Sequence, residues 1–160
     1  MVRATIGEGC TITAIPGPRV GEGLRARLLG LTNHPSRGDL RDDGTAASSG
    51  FAARLGRGLP AGSWALLARA GSVVVGWCLL ESPGDFSPWE VGVYVHPGSR
   101  RRGVGGALVR RAMAMAGLRG AEHVEARPWN AGSRGFYGSL GASVVNDFGP
   151  PGRWRVPCRG

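Results

Sequence analysis

Residues Val91–Val109 read VGVYVHPGSRRRGVGGALV, and this stretch decides the fold. Val91, Val93 and Val95 alternate as strand residues do, and the run stops at His96-Pro97. Arg100, Arg101 and Arg102 follow, then Gly103-Val104-Gly105-Gly106. Leu108, Ala112 and Met115 then recur at helical spacing. A strand, a basic glycine loop and a helix start make up the arrangement in which main-chain N–H groups enclose a phosphate. The helix dipole favours the anion, and arginines add charge.

Working outward, Cys10–Ile15 predicts a first strand and Gly21–Leu31 a helix bearing Leu24, Leu28 and Leu31. Residues 32–44 are polar and rich in turn formers. Thr45–Leu59 predicts a second helix with Phe51 and Leu55 on one face. Ser63–Arg69 and Ser72–Glu81 form a hairpin pattern around Ala70-Gly71. After the central unit come a strand at Glu122–Arg127, a helix at Ala131–Leu140, and strands at Ser143–Phe148 and Arg153–Val156. This order predicts an α/β chain with one mixed central sheet of about six to seven strands and helices on both faces. No linker divides it, so residues 1–160 are read as one domain.

The net charge is +9, and every basic residue is arginine. Either a polyanionic partner or a compositional bias toward arginine, glycine and alanine accounts for that charge. Cys10, Cys78 and Cys158 form no C-x-x-C pair and read as reduced thiols. His34, His96 and His123 are isolated, so no metal is expected. No apolar run approaches a membrane span, and the first residues lack the apolar core of a secretion signal. The expected location is cytoplasmic.

Two phosphate loops fail on residues their mechanisms need. A P-loop requires lysine, and the chain has none. A dinucleotide fingerprint requires a third small residue where Leu108 stands, and no acidic residue about twenty positions on sits in the expected role. Arg100-x-x-Gly103-x-Gly105, after Val95-His96-Pro97, instead resembles the acetyl-CoA signature of the GNAT superfamily of N-acetyltransferases. Downstream, Asn130, then Phe136-Tyr137, then Leu140-Gly141 resembles that family's Asn…Phe-Tyr…Leu-Gly segment. The two blocks span Trp89 to Val145, about a third of the chain. Ala142 stands where an aromatic commonly follows the glycine, and Ser133 where alanine is frequent.

The resemblance implies acetyl-CoA as co-substrate, a primary amine on a small molecule or peptide as acceptor, direct attack, and a monomer or homodimer. Arg100, Arg101, Arg102, Gly103, Val104, Gly105 and Gly106 are then the pyrophosphate loop. Its glycines are expected to let the backbone approach the ligand. Val93 and Val95 are expected to bond the pantetheine arm in a gap before the next strand, with an N–H near Val93 serving the oxyanion. Tyr137 is the expected general acid. A tyrosine of pKa about 10 protonates a thiolate whose acid lies near about 8.5 only uphill, so a hydrogen bond to sulfur is its main help. Asn130 either bonds the cofactor arm or caps the helix behind it. Glu90 is the first candidate for the base and Glu125 the second. Asp39, Asp42 and Asp43 are either an acceptor-attracting cluster or a solvated loop. Trp89, Trp129 and Trp154 either line a pocket or belong to the core.

Two other functions fit parts of the sequence. One is a basic nucleic-acid-binding module that uses Arg100–Arg102 with Arg110 and Arg111, although no aromatics interleave those arginines. The other is a CoA-binding sensor without catalysis.

Overall fold

The computed structural model describes residues 3–6, 9–32, 54–82, 88–128, 130–146 and 152–158. Its strands are β1 (Arg3–Ile6), β2 (Cys10–Pro16), β3 (Ser63–Ala70), β4 (Val73–Glu81), β5 (Trp89–Val95), β6 (His123–Ala126), β7 (Ser143–Asn146) and β8 (Arg153–Pro157). Its helices are α1 (Glu22–Thr32), α2 (Val104–Leu118) and α3 (Ala131–Ser139), and residues 54–57 form one further helical turn. The strands form one eight-stranded sheet in the order β1-β2-β3-β4-β5-β6-β8-β7. The pairs are antiparallel except β5–β6, which α2 joins as a parallel crossover.

Period-two alternation sorts the strand side chains to two faces. Leu66, Ala68, Cys78, Leu80, Val91 and Val93 face α2, where they meet Leu108, Val109, Ala112 and Tyr137. Ala65, Leu67, Trp77, Leu79 and Tyr94 face the other way, against Leu28 of α1 and Leu55. The α/β class and the helices on both faces are as the sequence predicts. The sheet also carries an edge strand before Cys10. Arg3–Ile6 is a short run whose strand state comes from pairing with Cys10–Thr13. Of the expected second helix, only residues 54–57 lie among the described helical positions, and the part before Arg54 lies outside the described residues. The Asp39–Asp43 cluster and Trp129 lie outside them too. Among the described residues, no helix is long and apolar enough to cross a membrane, and no group of three metal-binding side chains gathers.

Candidate active site

The glycine loop leaves β5 through a 3-10 turn, Pro97–Ser99. His96 caps that turn, its Nδ1 accepting from the Gly98 N–H at 3.2 Å. Arg100 then folds back. Its Nε donates to the Val95 carbonyl at 2.8 Å, and its guanidinium lies over the Tyr94 ring at 5.6 Å. Arg101 holds a left-handed φ of 62°, which is unusual for a residue with a side chain. Gly103 takes φ 79° as N-cap of α2 and supplies no side-chain cap. The first N–H groups of α2, at Val104, Gly105 and Gly106, therefore face the loop without a protein acceptor from the cap.

The two glycines have different reasons. A Cβ on Gly103 would meet nothing within 4 Å, so its requirement is the positive φ. A Cβ on Gly105 would lie 3.3 Å from Phe136 Cε2 and 3.5 Å from Val95 Cγ2. Close approach at Gly105 is thus to Phe136 and Val95 of the protein itself. It is also the contact that joins the two sequence blocks, with α3 seated against the first turn of α2.

Beside the loop the sheet opens. The β5–β6 ladder pairs Trp89 with Val124 and Glu90 with Glu125, and no pairing continues beyond Glu90. On the opposite edge of β5, the His96 N–H donates to the Val75 carbonyl at 2.8 Å. The β4–β5 register therefore turns the N–H and C=O of Gly92 and Tyr94 toward β4. Those of Val93 and Val95 face the gap. Arg100 already occupies the Val95 carbonyl, so Val93 offers both groups there and Val95 its N–H.

Tyr137 enters from α3 and is 1% exposed, in edge-to-face contact with Phe136 at 5.0 Å between centroids. Burial raises its hydroxyl above the ordinary 10.0, and the Cys78 thiol adds to the rise. Cys78, fully buried on β4, is raised by the same loss of solvent. Asn130 caps α3: its Oδ1 accepts from the Ser133 N–H at 2.9 Å, while its own N–H donates to Ser133 Oγ at 3.0 Å. This reciprocal box gives Ser133 a role at a position where the resemblance leads one to expect alanine.

The carboxylates line up across the sheet. Glu81 pairs in register with Glu90, and Glu90 with Glu125. Val124 and Ala126 face α2, so Glu125 projects to the α1 face, away from Tyr137. Glu90 is held at both oxygens, by Arg54 at 3.4 Å and Arg127 at 3.3 Å. Arg54 also pairs with Glu81 at 3.3 Å. Glu125 is 3% exposed, and its Oε2 lies 3.7 Å from Arg153 with no hydrogen-bond donor among the described residues. Sequence reasoning missed Arg54, Arg127 and Arg153. No local pattern marks them, because each meets its carboxylate only through the tertiary fold.

A parallel strand pair that parts beside an uncapped, glycine-started helix defines an acetyltransferase-type fold. The sequence pattern of the Acetyltransferase (GNAT) family matches residues 33–142, well over half the chain, and the chain belongs to that family. A segment of 48 residues is 46% identical to the mycothiol acetyltransferase of Mycobacterium avium (strain 104). It covers 30% of this chain and 15% of that enzyme, so the match spans a small part of the relative's length. Among solved structures, the GNAT domain of S. lividans PAT superposes with a TM-score of 0.68 at 18% identity, over 97% of this chain and 94% of that one. The structure of yncA from Salmonella typhimurium with its cofactor acetyl-CoA gives 0.60 at 21% identity, over 93% and 95%. At these identities the likeness is one of fold.

Proposed function

We propose that the chain is an N-acetyltransferase that moves the acetyl group of acetyl-CoA to a primary amine by direct attack. The observation that carries this is the gap beyond the Glu90–Glu125 pair, which has main-chain groups of Val93 and Val95 on its wall and runs toward the uncapped start of α2. The residues fit the cofactor. Val93 and Val95 are placed to pair with the amides of the pantetheine arm as a neighbouring strand would. The N–H groups of Val104, Gly105 and Gly106 are placed to take the diphosphate. The cofactor supplies an activated thioester carbonyl, and the Val93 N–H is the donor we assign to its oxygen as charge develops there.

The two faces of the gap divide the proton chemistry. Glu125 stands on the α1 side of the sheet and Tyr137 on the α2 side. An amine entering from the α1 side attacks the thioester carbonyl carbon, and as the C–S bond breaks the CoA thiolate leaves on the side of Tyr137. The closer ion pairs that hold both oxygens of Glu90 favour the second candidate, Glu125, as proton acceptor, since among the described residues its Oε2 accepts no hydrogen bond and has only Arg153 at 3.7 Å. Tyr137 stays protonated and serves as a neutral hydrogen-bond donor to the sulfur. The test is calorimetric titration with acetyl-CoA, followed by a panel of amines with detection of the CoA thiol released. Micromolar binding and amine-dependent thiol release are expected. A folded protein that leaves acetyl-CoA unbound overturns the reading. Binding without release to any amine points to the non-catalytic sensor.

A further inference from the structure

We infer that Arg110, one turn beyond Gly106 in α2, is a ligand to the cofactor diphosphate, and that Gly106 is bare so that Arg110 can reach it. This rests on the reading above. A helical side chain leans toward the N-terminus of its own helix, so residue 110 covers residue 106. A Cβ placed on Gly106 would lie 3.2 Å from both Nη1 and Nη2 of Arg110 and 3.4 Å from its Cζ. The Arg110 guanidinium is therefore folded back along α2 against the Gly106 position, in the space a side chain there would need. That puts the guanidinium on the first turn of α2, which has no side-chain cap.

That placement is electrostatically unfavourable without an anion, because the N-terminal end of a helix dipole already repels a cation. The first turn of α2 holds no acidic residue to offset it. Among the described residues, no hydrogen bond or ion pair engages Arg110, which is exposed. Arg100 contrasts with it, since its Nε is tied to Val95 and its ring-facing guanidinium braces the loop on Tyr94. The arginines thus divide the work, with Arg100 holding the loop to the strand and Arg110 presenting a planar fork suited to two phosphate oxygens. A Cβ at residue 106 would press on that fork, which would have to give by a few tenths of an ångström.

The test uses three ligands: acetyl-CoA, acetyl-dephospho-CoA, which keeps the diphosphate but lacks the 3′-phosphate, and acetyl-pantetheine, which has no phosphate. Binding is measured by calorimetry and turnover by thiol release, for the wild type, Arg110→Gln, Gly106→Ala and the double variant. Arg110→Gln is expected to weaken the first two ligands about tenfold and to leave turnover of acetyl-pantetheine unchanged. Gly106→Ala is expected to weaken the same two, and to add nothing once Arg110 is gone. Equal losses for all three ligands mean a structural role and overturn the inference. A loss confined to acetyl-CoA moves the contact to the 3′-phosphate, and no loss removes it altogether. A wild type that binds none of the three defeats the parent reading, whereas a wild type that binds while Arg110→Gln binds equally defeats this inference alone.

Discussion

Tyr137 shows what burial does to a single side chain at this site. Lifted above its ordinary 10.0 by lost solvent and by Cys78, the hydroxyl keeps its proton wherever the enzyme would work. Tyr137→Phe should therefore slow turnover while leaving acetyl-CoA affinity within about twofold, as stopped assays and calorimetry would show together; equal turnover would remove its role at sulfur. The same rise links stability to pH. Because the folded values of Cys78 and Tyr137 lie above the unfolded ones, the contribution is whole below about pH 9 and is lost as pH climbs beyond it. The chain has no lysine, so the alkaline range is unusually free of competing titration. Urea midpoints should fall between about pH 9 and 11, and Tyr137→Phe should shallow that fall. Glu125→Gln should depress kcat by tenfold or more. Glu90→Gln should act mainly by loosening Arg54 and Arg127; a tenfold loss of kcat in a stably folded Glu90→Gln with near-normal turnover in Glu125→Gln would reverse the assignment.

At the scale of the element, the start of α2 and the start of α3 are one construction. Gly103→Ala strains a left-handed N-cap with open space around it, at about 1 kcal/mol. Gly105→Leu drives a side chain into Phe136 and Val95 and costs about 1–3 kcal/mol as overpacking. Denaturant unfolding separates the two, and similar small losses for both would mean that α3 does not seat on α2 as described. The elements themselves were largely legible. Alternation marked β3, β4 and β5, and the glycine loop with its helical repeat marked α2. What escaped the sequence were relations between elements. The strand state of Arg3–Ile6 depends on a partner strand, the Gly105–Phe136 contact on how two helices meet, and the Arg54–Glu90 pair on a turn 36 residues away. Asn130 was legible as a cap or a ligand, and only the Ser133 bonds place its Oδ1 in the cap.

For the whole molecule, the deciding feature is a sheet that is continuous on one side of β5 and open on the other. The resemblance carried the expectation of that opening; the valines alone did not, since buried strands paired on both edges have the same composition. The opening makes an alternating prediction along one strand. Gly92 and Tyr94 direct their N–H groups into β4, where a ligand in the gap cannot reach them, while Val93 and Val95 direct theirs into the gap. Amide exchange followed by NMR should therefore show Val93 and Val95 slowing on addition of CoA, with Gly92 and Tyr94 little changed. A ligand lying elsewhere, or one that merely rigidifies the fold, would slow neighbouring amides alike. Truncation to pantetheine should retain the alternation but lose protection at Val104, Gly105 and Gly106, because the strand edge reads the arm and the helix start reads the phosphates. Uniform protection across residues 92–95 would mean that β5 and β6 close on each other instead of holding the cofactor between them.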